Sequence, residues 1–241
     1  PRINIMKIQS NEKIKNLKDK VKGQIVLPGD PNYNEVREIW NAMIDRRPAV
    51  IIQCAEADDV PHAISYARDN GLEISIRGGG HNIAGSALCN NGVMDCKKAL
   101  TEAEGDFDKA IQAHGLATPV GINSTTGIAG LTLGGGFGWL TRKYGMTIDN
   151  LISAEMVTAD GRKIQVSEDE NTDLFWAIRG GGGNFGVVTQ FEFALYPVGP
   201  EILAGLLVFP IDQTKQVLEK YREFVKSAPE ELNIWVVLRK A

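Results

Sequence analysis

Three clusters of glycine, at residues 78–80, 127–138 and 180–186, constrain this chain more than any other feature of its sequence. The chain has 26 glycines in 241 residues, which is above the usual background of roughly 7%. Glycine loses more conformational freedom on folding than any other residue, so a cluster indicates a sharp turn or a close backbone approach. Because the glycines are grouped, we interpret the clusters as loops that build a site.

Two of three phosphate-binding patterns fail on these loops. Residues 80–86, GHNIAGS, have the glycine spacing of a P-loop but carry Ser86 in place of its lysine, so the contact with the terminal phosphates is missing. Residues 181–186, GGGNFG, match GxGxxG, but we expect them to follow a helix and precede a strand, the wrong context for a dinucleotide fingerprint. The third pattern, a nest of backbone N–H groups at 78–80 and 134–136, binds a pyrophosphate without a lysine. The alternative interpretation is that these glycines serve only tight turns and close packing and bind no ligand.

A single histidine, His81, follows the first cluster directly. A lone histidine is normally a core or surface residue whose polar atoms are satisfied by its neighbours. Directly after a nest for the pyrophosphate of a dinucleotide cofactor, its imidazole would lie beside that cofactor. There an imidazole acts as a nucleophile or carries a proton. We therefore predict that His81 is a functional residue.

Composition and charge argue against several classes of function. The net charge is −4, and the lysine-rich segment 13–22 fits the solvated face of a helix, which argues against nucleic-acid binding. No apolar run is long enough to span a membrane, and the first residues show no signal-peptide core. Cys54, Cys89 and Cys96 have no CxxC spacing and the histidines form no HExxH motif, so we expect neither disulfides nor a metal site. We expect a cytoplasmic protein, although the sequence starts at Pro1 and not at Met; its oligomeric state is not readable.

The rest of the chain predicts a mixture of helices and strands. Residues 49–77 predict a strand, a helix and a second strand, about the minimum length of a βαβ unit. Residues 34–46 have the apolar spacing of a helix, and residues 151–167 alternate around Asp160-Gly161, which predicts a hairpin. Further strands are predicted at 24–28, 183–197, 202–210 and 232–240, and further helices at 171–179 and 212–228.

Five motifs occur in order along the chain and are specific in combination. They are RGGGHNIAG at 77–85, AHGLATPVG at 113–121, TGIAGLTLGGGFGWLTRKYG at 126–145, DNLISAEMVTADG at 149–161 and LFWAIRGGGGNFGVVT at 174–189. Together they resemble the FAD-linked oxidases of the vanillyl-alcohol-oxidase / p-cresol methylhydroxylase superfamily. Within it, the chain most resembles the berberine-bridge-enzyme-like group and its bacterial members of the 6-hydroxy-D-nicotine oxidase kind, over residues 24 to about 200.

The resemblance implies an α+β fold with two domains. Residues 1–198 would form an FAD-binding domain whose two subdomains hold the cofactor between them, with the subdomain boundary near 77–85. Residues 199–241 would begin a substrate domain, an antiparallel sheet with helices over one face, which we expect to be incomplete at Ala241. In the family the general base usually comes from that domain, so no catalytic residue is assigned and the substrate is not identified.

The resemblance also implies a covalent bond to the cofactor. The histidine of the family's RxGGH motif is commonly bonded to the 8α-methyl carbon of the flavin, and His81 holds that position here. A neutral imidazole nitrogen is a suitable nucleophile, and such a bond raises the flavin reduction potential. Plant relatives carry a second link through a cysteine. The matching position here is near Asn123, and no cysteine follows Cys96, so we expect a single link.

Sixteen residues are predicted by this resemblance to contact FAD. The pyrophosphate would lie against the loop after residue 76, and the flavin ring and ribityl chain against 126–130. Gly186 and Val188 would touch the adenine side or the nearby chain. The full set is Arg77, Gly78, Gly79, Gly80, His81, Asn82, Gly85, Thr126, Gly127, Ala129, Gly130, Gly134, Gly135, Gly136, Gly186 and Val188.

From this resemblance we predict a flavin-dependent oxidase. A small organic substrate would deliver a hydride to flavin N5 while a base removes a proton, and dioxygen would reoxidise the flavin to give hydrogen peroxide. Three alternatives stay open on the sequence alone. They are a flavin dehydrogenase with another electron acceptor, an FAD-binding module without turnover, and a glycine-rich α+β domain that binds no cofactor.

Overall fold

The protein is a mixed structure of short helices and three sheets, as the α+β prediction requires. The computed structural model describes residues 11–89, 93–96, 115–123, 125–199 and 201–238. The helices are α1 (Asn11–Lys18), α2 (Tyr33–Arg37), α3 (Asp59–Asp69), α4 (Ile128–Leu133), α5 (Thr141–Tyr144), α6 (Thr172–Ile178) and α7 (Thr214–Phe224). The strands are β1 (Gln24–Val26), β2 (Val50–Gln53), β3 (Ile74–Arg77), β4 (Val93–Cys96), β5 (Leu116–Ala117), β6 (Leu151–Val157), β7 (Lys163–Ser167), β8 (Val187–Phe193) and β9 (Tyr196–Pro197). Short 3-10 helices cover Thr147–Asn150, Gly182–Phe185 and Ile211–Gln213.

The first sheet has the strand order β1-β2-β4-β3 and confirms the βαβ prediction for residues 49–77. Strands β2 and β3 both run parallel to β4, which lies between them, and β1 is antiparallel to β2. The β2 residues Val50, Ile51 and Ile52 are fully buried, as expected for a parallel strand covered on both faces. Helix α3 buries its apolar face in the same core. The parallel arrangement brings the carboxyl end of β3, and the glycine loop that follows it, to one edge of the sheet.

The second sheet has the order β7-β6-β8 and is antiparallel throughout. The β6–β7 pair is the predicted hairpin, with Gly161 at φ +87° in its turn, a conformation that suits glycine. Its core includes Met156, Val166 and Phe175. Val157 and Val187 pack instead into the core of the first sheet, so apolar contact joins the two sheets. The two-residue strands β5 and β9 pair separately.

A buried carboxylate, Asp59 at the start of α3, fastens two segments to each other. It is 1% exposed and accepts hydrogen bonds from the backbone N–H groups of Lys22 (2.7 Å), Gly23 (3.0 Å), Ala55 (2.8 Å) and Glu56 (3.5 Å). These donors lie before β1 and after β2. Since a buried charge is tolerated only when its hydrogen bonds are satisfied, Asp59 fixes the connection between the edge strand and the centre of the first sheet.

The prediction of a helix over 34–46 is wrong beyond Arg37. Helix α2 ends there, and the next residue, Glu38, is extended with ψ 141°. Trp40 and Met43, which the helical spacing placed on an apolar face, are 69% and 90% exposed. Tertiary hydrogen bonds to a neighbouring loop replace the helical ones, so the local periodicity was misleading.

The two tail strands predicted at 202–210 and 232–240 are not formed within the described residues, whereas the helix between them is present as α7. A strand exists only when another strand pairs with it, and no described strand does so. Their apolar side chains are accordingly exposed, with Leu203, Leu206 and Leu207 each above 80%. In the described ranges no helix has the length and apolar character needed to cross a bilayer. The same ranges hold no metal-binding group of three or more His, Cys, Asp or Glu side chains.

Replacing Asp59 tests the importance of the buried carboxylate. Asp59→Ala leaves several buried N–H groups without an acceptor, so we expect it to lower the free energy of unfolding by about 3 kcal/mol or more. The matched control is Asp58→Ala, which removes an exposed carboxylate paired with Lys163 and should cost less than about 1 kcal/mol. Urea unfolding followed by circular dichroism measures both values. Equal losses in the two variants would contradict the assigned role.

Candidate functional site

The first two glycine clusters meet backbone to backbone. A Cβ atom on Gly79 would lie 2.5 Å from the backbone nitrogen of Gly127, and one on Gly127 would lie 2.5 Å from the nitrogen of Gly79. No real side chain fits in such a space, so both positions require glycine. The third cluster is adjacent, because α4 contacts the 3-10 helix Gly182–Phe185. The structure therefore brings the three clusters close to one another.

The loop after β3 presents unused hydrogen-bond donors at this junction. No described residue accepts a hydrogen bond from the backbone N–H of Gly78, Gly79 or Gly80, and Gly78 and Gly79 are exposed. Gly80 turns the chain with φ +73°. Successive free N–H groups in such a turn form a concave site for an anion.

Arg77 lies at the base of the same loop. Its Nη1 donates to the carbonyl oxygen of Val36 at 2.5 Å, whereas its Nε is buried and has no partner among the described residues. A Cβ on Gly80 would lie 3.1 Å from that Nε. The guanidinium thus packs against the loop at Gly80 and leaves one buried donor there without a described partner.

An irregular segment, residues 38–46, with a turn at Ala42 and Met43, runs along the loop 78–88; we call these two segments the brace and the His81 loop. The brace begins after α2. The first residue of that helix, Tyr33, donates its hydroxyl to Pro48 O at 2.6 Å, and burial raises the pKa of its phenol. Its buried Ile39 packs with Ile51 and Leu88. The hydrogen bonds between the two segments run from Trp40 N to Gly80 O (3.0 Å), from Asn41 Nδ2 to Ile83 O (2.8 Å), and from Arg46 Nη1 to Gly85 O (3.2 Å) and Leu88 O (2.8 Å).

Sequence reasoning missed the brace because its apolar spacing imitates a helix. The sequence shows Asn41 and Arg46 as polar residues inside an apparently amphipathic pattern. Only the structure shows that both donate long-range hydrogen bonds to the His81 loop. Gly85, predicted as a cofactor contact, has φ +75°, and its missing side chain makes room for Ile44 of the brace. Asn82 uses its side-chain oxygen to accept from Ser86 N at 2.9 Å. Both residues therefore shape the His81 loop, and their contact with a cofactor stays a prediction.

His81 is half-buried at the open side of this loop. Its imidazole stacks on the indole of Trp40, with 4.9 Å between ring centroids and 15° between ring planes. No described residue forms a hydrogen bond with its ring nitrogens. The imidazole is thus held by one face while its edges stay available for chemistry.

The second loop, residues 121–127, meets the first at Gly127. Thr126 N donates to Asn123 O at 3.1 Å, which closes a turn before α4. Asn123, the position near which plant relatives carry a cysteine, accepts from the Thr125 hydroxyl at 2.8 Å. Gly130 is exposed, and a Cβ there would meet nothing within 4 Å; Ala129 is half-buried. This face of α4 is open beside the Gly79–Gly127 contact.

Gly134, Gly135 and Gly136 have a packing role in the structure. The N–H groups of Gly134 and Gly135 already donate to Gly130 O and Thr132 O, so neither is free for an anion. Gly135 and Gly136 have positive φ and accept hydrogen bonds at the 3-10 helix Thr147–Asn150. The anion nest predicted at 134–136 is therefore wrong for those two N–H groups, and a cofactor contact through other atoms stays a prediction.

Gly186 and Val188 pack against β6. Gly186 has φ +153°, and a Cβ there would lie 2.6 Å from Val157 O. Val188 is 2% exposed and belongs to the core of the second sheet. Their predicted contact with the adenine side is not tested by these observations.

The tail docks on the segment that follows α4. Asn233 Nδ2 donates to Trp139 O at 2.8 Å, and the Trp235 ring lies 5.2 Å from that of Trp139. Lys143 pairs with Glu231 at 2.9 Å, and this hydrogen bond raises the pKa of the lysine. Tyr144 stacks on Tyr196 at 4.1 Å. The tail is thus fastened beside the glycine surface.

Comparison with known proteins identifies the family of this site. The profile of the FAD-binding domain family matches residues 48–101 and 102–167. The chain is 38% identical over 205 residues to (R)-6-hydroxynicotine oxidase of Paenarthrobacter nicotinovorans, covering 78% of this chain and 45% of that protein. This chain belongs to the berberine-bridge-enzyme-like group of FAD-linked oxidoreductases.

Solved structures agree with this family. Crystalline 6-hydroxy-D-nicotine oxidase from Arthrobacter nicotinovorans superposes with a TM-score of 0.69 at 39% identity, covering 73% of this chain and 43% of that one. Glucooligosaccharide oxidase from Acremonium strictum, which carries a 6-S-cysteinyl, 8α-N1-histidyl FAD, gives 0.69 at 28% identity, covering 76% and 42%. The chain therefore spans about half the length of the relatives that it matches.

The residues at the glycine junction fit FAD. The pyrophosphate is a dianion, and the free N–H groups of 78–80 with the unpaired Nε of Arg77 are donors without a described acceptor. The close approach of Gly79 to Gly127 leaves no side chain between the two loops, as a long ligand laid along bare backbone requires. FAD is the cofactor of this domain family.

Adding a methyl group at the junction tests whether the two loops form one binding surface. Gly79→Ala and Gly127→Ala each force the backbones apart, so we expect a loss of about 1–3 kcal/mol of stability and FAD binding weaker by about tenfold or more. Isothermal titration with FAD and urea unfolding measure the two effects. Gly29→Ala, whose Cβ meets nothing within 4 Å, is the control and should change neither. Wild-type affinity in Gly79→Ala would remove this contact from the cofactor site.

Proposed function

We propose that this chain is the FAD-binding part of an oxidase that takes a hydride from a small organic substrate and passes the electrons to dioxygen, forming hydrogen peroxide. The observation that carries the proposal is the meeting of the two glycine loops with free N–H donors on one side and His81 at the end of the same loop. That arrangement suits a dinucleotide whose pyrophosphate and flavin ring lie a short distance apart. The relatives named as nicotine and oligosaccharide oxidases support the reaction class.

The chain's own residues would divide the binding of FAD between them. The N–H groups of Gly78, Gly79 and Gly80, with Arg77, would hold the pyrophosphate. Thr126, Gly127, Ala129 and Gly130 would face the ribityl chain and the ring. Bound FAD supplies the hydride acceptor, N5 of its ring, and reacts with dioxygen. The chain would orient that ring through these backbone and side-chain contacts.

We propose a single covalent link, from His81 to the flavin 8α carbon. Both ring nitrogens of His81 are without a described hydrogen-bond partner, which leaves a lone pair available for bond formation. In the Acremonium strictum oxidase the FAD is joined to a histidine and to a cysteine. Here Asn123 stands near the position of the cysteine, so the second link has no sulfur to form it.

The domain arrangement and location are part of the same proposal. Residues 1–198 would be the FAD-binding domain and residues 199–241 the beginning of a substrate domain. The open apolar side chains of the tail, such as Leu206 and Leu207, support a role for that segment in a larger sheet. We propose a bacterial, cytoplasmic protein, because Cys54, Cys89 and Cys96 are odd in number and have no CxxC spacing, a cysteine usage that favours a reducing compartment.

Acid precipitation tests the covalent link. After incubation with FAD, the wild-type chain should carry its yellow colour into the acid pellet. His81→Ala should bind FAD with an affinity within about threefold of wild type but release it to the supernatant, because only the bond and not the pyrophosphate site is lost. Absorbance spectra of both fractions give the answer. Flavin that stays with the pellet in His81→Ala would place the link elsewhere, and failure of both chains to take up FAD would refute the cofactor site.

Reoxidation in air separates an oxidase from a dehydrogenase. The bound flavin is reduced by light under nitrogen, with EDTA as the electron donor, and then mixed with aerated buffer. We expect the yellow colour to return faster than for free reduced FAD, with one hydrogen peroxide formed per flavin. Return of the colour only after addition of an acceptor dye would replace the oxidase proposal by a dehydrogenase.

A further inference from the structure

Trp40 and His81 form an isolated aromatic pair at the edge of the glycine junction. The centroid distance of 4.9 Å and the angle of 15° lie in the range of offset-stacked rings. Within the described ranges neither residue stacks on any other aromatic ring. Stacking uses the face of the imidazole and leaves both nitrogens at its free edge, where a new bond in the plane of the ring can form.

Main-chain hydrogen bonds hold Trp40 in register with His81. Trp40 N donates to Gly80 O, one residue before His81, and Asn41 Nδ2 donates to Ile83 O, two residues after it. The brace therefore clamps the His81 loop on both sides of the histidine. An indole attached to the brace at this point has little freedom to slide away from the imidazole.

Packing does not explain the indole. Trp40 is 69% exposed, although burial in a core is the usual role of tryptophan. Its neighbour Ile39 anchors the brace in the core instead, at 9% exposure. The brace is thus anchored in the core by Ile39. The exposed indole of Trp40 next to it makes one described ring contact, with the face of His81.

We propose that Trp40 is a positioning residue, which holds the His81 imidazole in the orientation from which it bonds to the flavin. The inference rests on the proposed function. In the bond-forming step a C–N bond joins an imidazole nitrogen to the 8α carbon, and one proton leaves the imidazole and one leaves the methyl group. The two electrons released remain on the flavin until dioxygen takes them up to give hydrogen peroxide. Fixing the ring plane restricts rotation that would turn the nitrogen away, and orientation of this kind controls the rate of such a step.

The rate at which acid-stable flavin appears tests the proposal. Apo chain is mixed with FAD in air, and samples are precipitated with acid at intervals. We expect Trp40→Ala to slow the appearance of acid-stable flavin by about tenfold to 10²-fold, and Trp40→Phe, which keeps a stacking ring, to stay within about threefold of wild type. Trp176→Ala is the control, because Trp176 is 79% exposed and has no described ring partner; its rate should equal that of wild type.

Two further measurements separate positioning from a general loss of structure. Non-covalent FAD affinity is compared between His81→Ala and His81→Ala/Trp40→Ala, and the two values should agree within about threefold. The flavin-free chain is labelled with 13C-histidine, and the ring-current shift of the His81 carbon-bound ring protons should disappear in Trp40→Ala and persist in Trp40→Phe. Neither readout depends on turnover.

Each outcome decides the proposal. Wild-type incorporation rate in Trp40→Ala overturns the role of Trp40 and leaves the proposed function intact. Equal slowing in Trp40→Ala and Trp40→Phe together with weakened FAD affinity overturns it as well, because the residue would then be structural. If wild-type chain binds FAD without any acid-stable flavin, the covalent link and the role of Trp40 both fail while the cofactor stands. Failure to bind FAD at all refutes the proposed function itself.

Discussion

The contact between the backbones of Gly79 and Gly127 is the constraint on which the site depends. Each residue occupies the space that a side chain on the other would need, so the turn after β3 and the start of α4 can approach only if both positions are glycine. That approach places the free N–H groups of the first loop beside the open face of the second. A ligand that needs anion binding and close backbone contact over a long span, such as a dinucleotide, is accommodated as a consequence.

The brace gives this junction its stability without filling it. It runs along the His81 loop through backbone and side-chain hydrogen bonds, and its Ile39 packs in the core with Ile51 and Leu88 while Ile44 packs against Gly85. A glycine-rich loop has high conformational entropy when it is free. Hydrogen bonds from the brace restrict the conformations of this loop. The brace donates to carbonyl oxygens of the His81 loop, at Gly80, Ile83 and Gly85, and leaves the N–H groups of Gly78, Gly79 and Gly80 without a described acceptor.

Much of the scaffold could be predicted from the sequence, because it depends on local pattern. Apolar periodicity and turn residues predict the strand, helix and strand of 49–77 and the hairpin around Asp160-Gly161 without any information from the rest of the chain. The ordered glycine motifs likewise indicated the FAD-binding family. The segment after Arg37 could not be predicted in this way, because Trp40 and Met43 imitate an amphipathic helix while their conformation is decided by partners 40 residues further along the chain. The packing role of Gly134 and Gly135 was hidden for the same reason: sequence shows that a glycine is needed but not whether its N–H or its missing Cβ matters.

The unpaired tail segment has a consequence for handling the protein. Residues 202–210 present leucines that are more than four-fifths exposed on a backbone whose N–H and C=O groups have no strand beside them in the described chain. Extended apolar segments with free backbone groups are templates for pairing between molecules. Until a partner strand covers residues 202–210, their exposed leucines and unpaired backbone groups favour pairing between molecules, through a segment that holds none of the predicted cofactor contacts.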